Sequence, residues 1–196
     1  MMINRRAALL GLSATGIMAA GMPAPTCAGQ ATYTTEDFPR VRKFDTHVHV
    51  NADPATFAAQ ALADNFELLT INVDYPDFPS LDLQGQVAET LNKLDPQRFH
   101  FATAFSMQGF DQPDWAGRVI AHIEARAKAG ARAVKVWKNV GLIKRDASGN
   151  LIMLDDVRFD PVIACIEALG LTLINHQGEP RNCWLPLGAT PSWRSN

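Results

Sequence analysis

The sequence has little of what would assign it at once to several common classes of protein. Only 3 of its 196 residues are cysteine, and its formal net charge is −2 with no long run of lysine or arginine. So few cysteines cannot form a disulfide framework. Nucleic-acid binding usually requires a basic face that neutralises phosphates. We therefore expect neither a disulfide-stapled domain nor a nucleic-acid partner.

Long hydrophobic runs are also missing. The apolar stretch at residues 7–22 is rich in small residues and shorter than the roughly 20 residues that a membrane span needs. It follows Arg5 and Arg6 and precedes small residues at 28–31, which is the three-part pattern of a secretory signal. The paired arginines resemble the twin-arginine export motif. We expect residues 1–31 to be a signal peptide, the mature chain to be periplasmic or secreted, and no stable membrane span in it.

After Arg42 the apolar periodicity alternates between strand-like and helix-like segments. The predicted strands are residues 43–50, 66–73, 98–105, 132–138 and 171–176, and the predicted helices are residues 54–64, 83–94, 114–129 and 161–169. Regular alternation with short connections predicts parallel strands, right-handed crossovers and helices outside the sheet. The turn-forming residues Asp146–Asn150, between two apolar runs, predict a hairpin insertion after the fourth strand.

A parallel sheet of this kind either closes into a barrel or stays open. Open nucleotide-binding sheets usually have a Gly-rich turn after the first strand, and here that turn is Asn51-Ala52-Asp53. The polar residues at the carboxyl ends of the strands favour a barrel. We therefore expect an α/β fold in which residues 32–196 form one domain, a partial (β/α)8 barrel of the TIM type with about five βα units.

The first predicted strand carries two histidines near its carboxyl end. Alternation places Asp45, His47 and His49 on one face and the apolar residues, Phe44 and Val48 among them, on the other. The two histidines are about 7 Å apart along the strand, so both rings can reach one ion, and neutral imidazole is a common zinc ligand. We expect Asp45 to orient a ring or a neighbouring strand from behind. The alternative is a pair of core histidines bonded to the backbone.

The fourth predicted strand carries a lysine on the same face as Ala133 and Trp137. An inward Lys135 requires a charge partner or a chemical modification. Three roles stay open: a carbamate that binds metal, a proton donor to substrate, or a cation paired with a substrate carboxylate. We favour an unmodified catalytic lysine. Lys138 and Asn139, at the end of the strand, are expected to contact substrate, the alternative being a solvated pair of loop residues.

A third histidine ends the fifth predicted strand. The apolar residues before His176 hold that strand in the sheet, so its ring is expected at the rim beside the two first-strand histidines. A satisfied structural histidine is the alternative. Glu179, in the loop that follows, is expected to bind substrate or to support a ligand. His100 and His122 are interpreted as structural.

These segments resemble the amidohydrolase superfamily. Phe44-Asp45-Thr46-His47-Val48-His49 is similar to the first-strand His-x-His signature. Residues 130–139 are similar to the fourth strand, where some members carry a carboxylated lysine, and residues 175–180 to the fifth strand, where a histidine is a ligand. The resemblance covers most of the chain from about residue 44 to residue 187, and is closest to the branch that contains decarboxylases and dicarboxylate lactonases.

The resemblance implies a metal-dependent hydrolase in which His47, His49 and His176 hold a divalent ion, expected to be zinc. Water on that ion would attack an amide, ester or lactone of a small-molecule substrate. A decarboxylase or lactonase of the same branch is the alternative. The superfamily also uses a histidine of strand six and an aspartate of strand eight, and the sequence contains neither strand. We therefore expect an incomplete site, self-association through open sheet edges, or a non-catalytic fragment or metal-binding domain.

Overall fold

The structure is a computed structural model, and it describes residues 33–176. The predicted signal peptide and Glu179 lie outside the described residues. Strands and helices alternate along the described chain, which confirms the α/β prediction. The elements are β1 (Lys43–Val48), α1 (Pro54–Ala63), β2 (Phe66–Ile71), α2 (Leu81–Leu94), β3 (Phe99–Ala104), α3 (Trp115–Lys128), β4 (Ala133–Val136), α4 (Asp160–Ala168) and β5 (Thr172–Asn175).

The five strands form one parallel sheet that curls into half a barrel. Their order in the sheet is β1-β2-β3-β4-β5, the same as their order along the chain. A doubly wound sheet would reverse its strand order at one point, and this sheet does not. The structure therefore agrees with a partial barrel. No helix within residues 33–176 is both long and apolar enough to cross a membrane.

The helices cover one face of the sheet, which we call the outer face. There Leu68 of β2 and Phe99 of β3 pack with Ala58 and Ala61 of α1 and with Leu91 of α2. The opposite, inner face carries side chains of every strand. These inner-face side chains include Phe44, His47, Glu67, Leu69, His100, Ala133, Lys135, Thr172 and Ile174. Any molecule bound by the concave side of the half barrel would meet these inner residues.

An aromatic cluster supports the second half of the sheet from the outer side. Phe105, Phe110, Trp115 and Phe159 are each at most 5% exposed. Their ring centroids are 4.7 to 6.4 Å apart in the pairs that touch. Trp115 also donates a hydrogen bond from Nε1 to the carbonyl of Ser106 (3.0 Å). The cluster joins the loop after β3 to α3 and to the turn before α4.

A bulge in β1 corrects one prediction about this strand. Asp45 pairs with Leu68 and Val48 with Thr70, so two residues of β1 face one residue of β2. The extra residue reverses the alternation. Phe44 contacts His100 on the inner face, whereas Val48 packs on the outer face. The predicted single face shared by Asp45 and the two histidines is therefore wrong, because Asp45 precedes the bulge and the histidines follow it.

The predicted insertion after β4 is a small hairpin. Arg145 and Leu151 form an isolated antiparallel bridge. Between them the carboxylate of Asp146 accepts hydrogen bonds from the backbone N–H groups of Ser148 (2.9 Å) and Asn150 (2.8 Å). Such a turn, held by an Asp side chain, is typical of short loops. The prediction of a hairpin at this place is confirmed, although one bridge is its only strand pairing in the described chain.

Gln84 of α2 holds the chain that leaves β2. Its Oε1 accepts a hydrogen bond from the N–H of Val73 (2.9 Å), and its Nε2 donates to the carbonyls of Val73 (2.9 Å) and Pro79 (2.7 Å). Gln84 is 1% exposed, so Gln84→Ala would leave these backbone groups without partners. We expect the free energy of unfolding to fall by about 2–4 kcal/mol in urea titrations. The exposed Gln86, on the same helix, is the matched control: Gln86→Ala should cost at most about 0.5 kcal/mol, and equal losses would contradict this role.

Candidate functional site

A pocket lies at the carboxyl ends of the strands, on the inner face. Its volume is about 300 Å³. We call it the histidine pocket, and its lining residues are His47, His49, Val73, Tyr75, Phe78, Lys135, Trp137, Lys138 and His176. Five of the side chains proposed from the sequence thus line one cavity, although they come from strands far apart in the chain. In parallel α/β sheets this edge is where ligands usually bind.

The two first-strand histidines lie side by side in this pocket. Their ring centroids are 5.1 Å apart and the rings are nearly perpendicular, at 75°. The Nδ1 of His49 is 2.7 Å from the carbonyl oxygen of Ile71. A carbonyl accepts only a protonated nitrogen, so Nδ1 carries the hydrogen in the neutral ring and Nε2 keeps a free lone pair. His49 therefore presents a nitrogen that can accept a proton or bind a metal ion.

The surroundings of His47 favour its neutral form. Partial burial lowers the pKa of His47, and the positive charge of Lys135 lowers it further. His49 and His176 act in the same direction, while the carboxylate of Asp45 opposes them. An uncharged imidazole is the form that binds metal ions and accepts protons. Lys135 and His176 line the same pocket as His47.

The pocket does not contain a finished metal centre among the described residues. Within residues 33–176 no group of three or more His, Cys, Asp or Glu side chains is arranged so that it could hold a metal ion. The described lining residues of the histidine pocket also include no carboxylate. His47 and His49 are adjacent, and His176 lines the same pocket from the other edge of the sheet, but the three do not form a group that could hold a metal ion.

Asp45 acts on the backbone rather than on a ring. Its Oδ1 accepts a hydrogen bond from the N–H of His47 (2.9 Å). This bond spans the bulge and holds the backbone at the point where His47 turns to the inner face. The predicted supporting role is therefore seen in another form: the carboxylate positions the His47 main chain.

Lys135 is the most unusual side chain of the site. The residue is 4% exposed, and β4 is paired on both sides, with Ala104 and Ile174 directly opposite Lys135. Among residues 33–176 no carboxylate or carbonyl accepts a hydrogen bond from its Nζ. Burial lowers the pKa of this amine, because an ammonium ion is poorly stabilised away from water. The predicted orientation of Lys135, inward with Trp137, is confirmed.

Aromatic rings form the other wall of the pocket. Tyr75 lies 4.8 Å from Trp137 and 5.5 Å from Phe78, and Phe78 lies 5.4 Å from His49 (ring centroids). The Nζ of Lys138 is 5.6 Å from the Trp137 ring, a cation–π contact at the rim. Sequence reasoning missed the aromatic residues of the loop after β2. Their position just after the second strand could have indicated this role, because the loops at the carboxyl ends of barrel strands line the site.

Asn139 is not among the residues that line the histidine pocket. It is 5% exposed. Its Nδ2 donates to Asp74 Oδ2 (3.0 Å), which also accepts from the N–H of Met107 (3.0 Å). Asp74 thereby ties together the loops after β2, β3 and β4. Its position just beyond a strand end was a usable signal, but the sequence could not indicate its partners.

Two further histidines, His100 and His122, lie outside the histidine pocket. His100 lies on the inner face below the pocket, with Nε2 3.0 Å from Glu67 Oε1 and a buried Nδ1 that has no partner among the described residues. His122 lies on the outer side, 3.3 Å from the hydroxyl of Thr103. Neither lines the histidine pocket, in agreement with their interpretation as structural. Glu179 lies outside the described residues.

Comparisons of the chain with protein-family models, with curated proteins and with solved structures found no match in any of the three. What the structure defines is a parallel α/β half barrel with a pocket of imidazoles, lysines and aromatic rings at the carboxyl ends of its strands.

Proposed function

We propose that this chain is a metal-dependent hydrolase of the amidohydrolase kind, built on part of a TIM-type barrel. The observation that carries the proposal is the pair His47 and His49, adjacent at a strand end, with the Nε2 of His49 left free by its bond to Ile71. A metal-binding histidine usually donates its other ring N–H to a carbonyl or carboxylate. His176 supplies a third imidazole to the lining of the same pocket.

The cofactor that we propose for the histidine pocket is a divalent metal ion, expected to be zinc. When bound, such an ion supplies a water of lowered pKa that attacks an acyl carbon. His47, His49 and His176 are the residues that would hold it. The described lining contains three imidazoles and no carboxylate, and zinc accepts neutral imidazole nitrogens as ligands. Substrates of this chemistry are amides, esters or lactones.

Lys135 and Lys138 would act on the substrate directly. The Nζ of Lys135 lies in the pocket wall without a competing acceptor among the described residues, so it is available to donate a hydrogen bond or a proton to the oxygen that gains charge. Lys138 lies at the rim, where its charge attracts an anionic substrate. Tyr75, Phe78 and Trp137 would enclose an apolar or aromatic part of the substrate.

The same cationic lining favours a second candidate. Lys135 lies in a described lining that contains no carboxylate, which suits a substrate that carries a carboxylate itself. A decarboxylase or a lactonase acting on such a compound would use the same pocket. Product analysis separates the two: release of carbon dioxide indicates the decarboxylase, and consumption of base by a ring-opened acid indicates the lactonase.

The test is metal content and hydrolysis measured on the same preparations. After loading with zinc and dialysis, mass spectrometry should find about one ion per chain, and His47→Ala with His49→Ala should lose it. The matched control is His122→Ala, which removes an imidazole from the outer side and should retain the metal. Metal-loaded chain should hydrolyse an ester, lactone or amide that the double variant leaves intact. Equal metal content in the double variant and the control would exclude this site.

A further inference from the structure

The amine of Lys135 combines burial with access from one side. Its backbone is held between β3 and β5, and the residue is 4% exposed. Yet Lys135 lines the histidine pocket, whose neighbouring residues His47 and His49 are exposed to solvent. A small molecule that enters the pocket can therefore reach the amine, while most of the lysine side chain is shielded.

The amine also lacks the partner that usually occupies a buried lysine. No carboxylate lines the described pocket, and within residues 33–176 no acceptor is bonded to Nζ. A lysine that is paired with a carboxylate must first lose that pairing before it can attack an electrophile. Lysine nucleophiles are commonly activated by desolvation in a pocket, and the burial of Lys135 in the pocket lining provides that setting.

We propose that Lys135 is a covalent carbonyl-binding residue, whose Nζ condenses with a small 2-oxo acid or aldehyde to form an imine. The amine nitrogen adds to the carbonyl carbon and gives a carbinolamine. Loss of the hydroxyl group as water then leaves a C=N bond, with no oxidant or reductant required. The carboxylate of a 2-oxo acid would meet a described lining that contains no carboxylate of its own. This activity needs no metal ion, so it is independent of the hydrolase proposed above.

Reductive trapping tests the proposal. The full chain, with metal removed by a chelator, is incubated with glyoxylate and cyanoborohydride, which reduces the imine to a stable secondary amine. Intact mass should show one predominant adduct, and peptide mapping should place it on Lys135. Lys135→Arg should lower the rate of labelling by about tenfold or more, because a guanidinium forms no imine under these conditions. Lys93→Arg removes an exposed amine that does not line the pocket, and this chain should still be labelled on Lys135.

Two results would overturn the proposal. One is an adduct spread evenly over the exposed lysines of the wild-type chain. This measurement needs no variant, so it tests the proposal even if Lys135→Arg does not fold. The other is an unchanged labelling rate in a Lys135→Arg chain whose circular dichroism matches wild type. Because the assay is free of metal, it can fail while zinc binding and hydrolysis persist, and it can succeed when they are absent.

Discussion

Phe159→Ala is expected to lower the free energy of unfolding by about 3–5 kcal/mol. Phe159 is fully buried, and its ring contacts Phe105, Phe110 and Trp115 at centroid distances of 6.4, 5.1 and 5.4 Å. Truncation removes apolar surface from the core and leaves a cavity that three rigid rings cannot readily fill. Since domains of this size are stable by only about 5–15 kcal/mol, the variant should unfold at much lower urea concentration.

Phe57→Ala is the matched control for this change. Phe57 lies on α1 and is 40% exposed, so the same truncation there should cost less than about 1 kcal/mol. Urea titrations of both variants, followed by fluorescence and by circular dichroism, separate the two effects. A loss at position 159 no larger than the loss at position 57 would mean that the aromatic cluster does not hold α3 and α4 on the sheet.

Lys135→Met is expected to stabilise the protein while removing the function of the pocket. Met has a similar length and no charge, so it removes the cost of desolvating an ammonium group on a residue that is 4% exposed. Burial of an unpaired polar group typically costs about 1–3 kcal/mol, and we expect a gain of that order. If Lys135 donates to the reacting oxygen, catalysis should fall by about 10²- to 10⁴-fold. Opposite changes in stability and activity are typical of a functional residue.

The stability gain of this variant should depend on pH with a definite sign. The pKa of Lys135 in the folded chain is lowered from the ordinary value of 10.5, so between the two values the unfolded chain binds more protons than the folded chain. Wild-type stability therefore rises with pH in that range. The advantage of Lys135→Met should be complete below the folded pKa and should shrink as the pH approaches 10.5.

Lys93→Met provides the control, since Lys93 is exposed at the end of α2. Its effect on the free energy of unfolding at neutral pH should be within about 0.5 kcal/mol. A Lys135→Met chain that is clearly less stable than wild type at neutral pH would show that Nζ has an acceptor in the intact protein. It would also remove the basis for a nucleophilic or donating lysine.

The order of strands and helices was predictable because it depends on local pattern. Every strand and α-helix of the described residues lies within two residues of its predicted ends. Alternation of apolar residues, prolines in the first turn and glycines after helix ends act on the adjacent backbone. The inward orientation of Lys135 followed from the same alternation in β4. The parallel sheet followed from regular alternation and short connections, and the polar residues at the strand ends favoured a barrel over an open sheet.

The details of the site were not predictable, because they depend on partners distant in sequence. The bulge in β1 arises from its register with β2, and a change of register by one residue reverses the faces of a strand. It separates Asp45 from the two histidines, which the alternating pattern had grouped. In the same way, the sequence could not indicate that the amide of Asn139 donates a hydrogen bond to Asp74, 65 residues away.

The sequence by itself determined the α/β alternation, the parallel sheet and which chemically active side chains would gather at one end of it. These properties depend on residue periodicity and on the fact that parallel strands end at the same edge. Only the tertiary structure decided which ring nitrogen of His49 is free, that the three imidazoles do not form a group that could hold a metal ion, and that Lys135 has no acceptor within the described residues. These properties depend on distances between side chains of different strands, which a pattern along one chain does not contain.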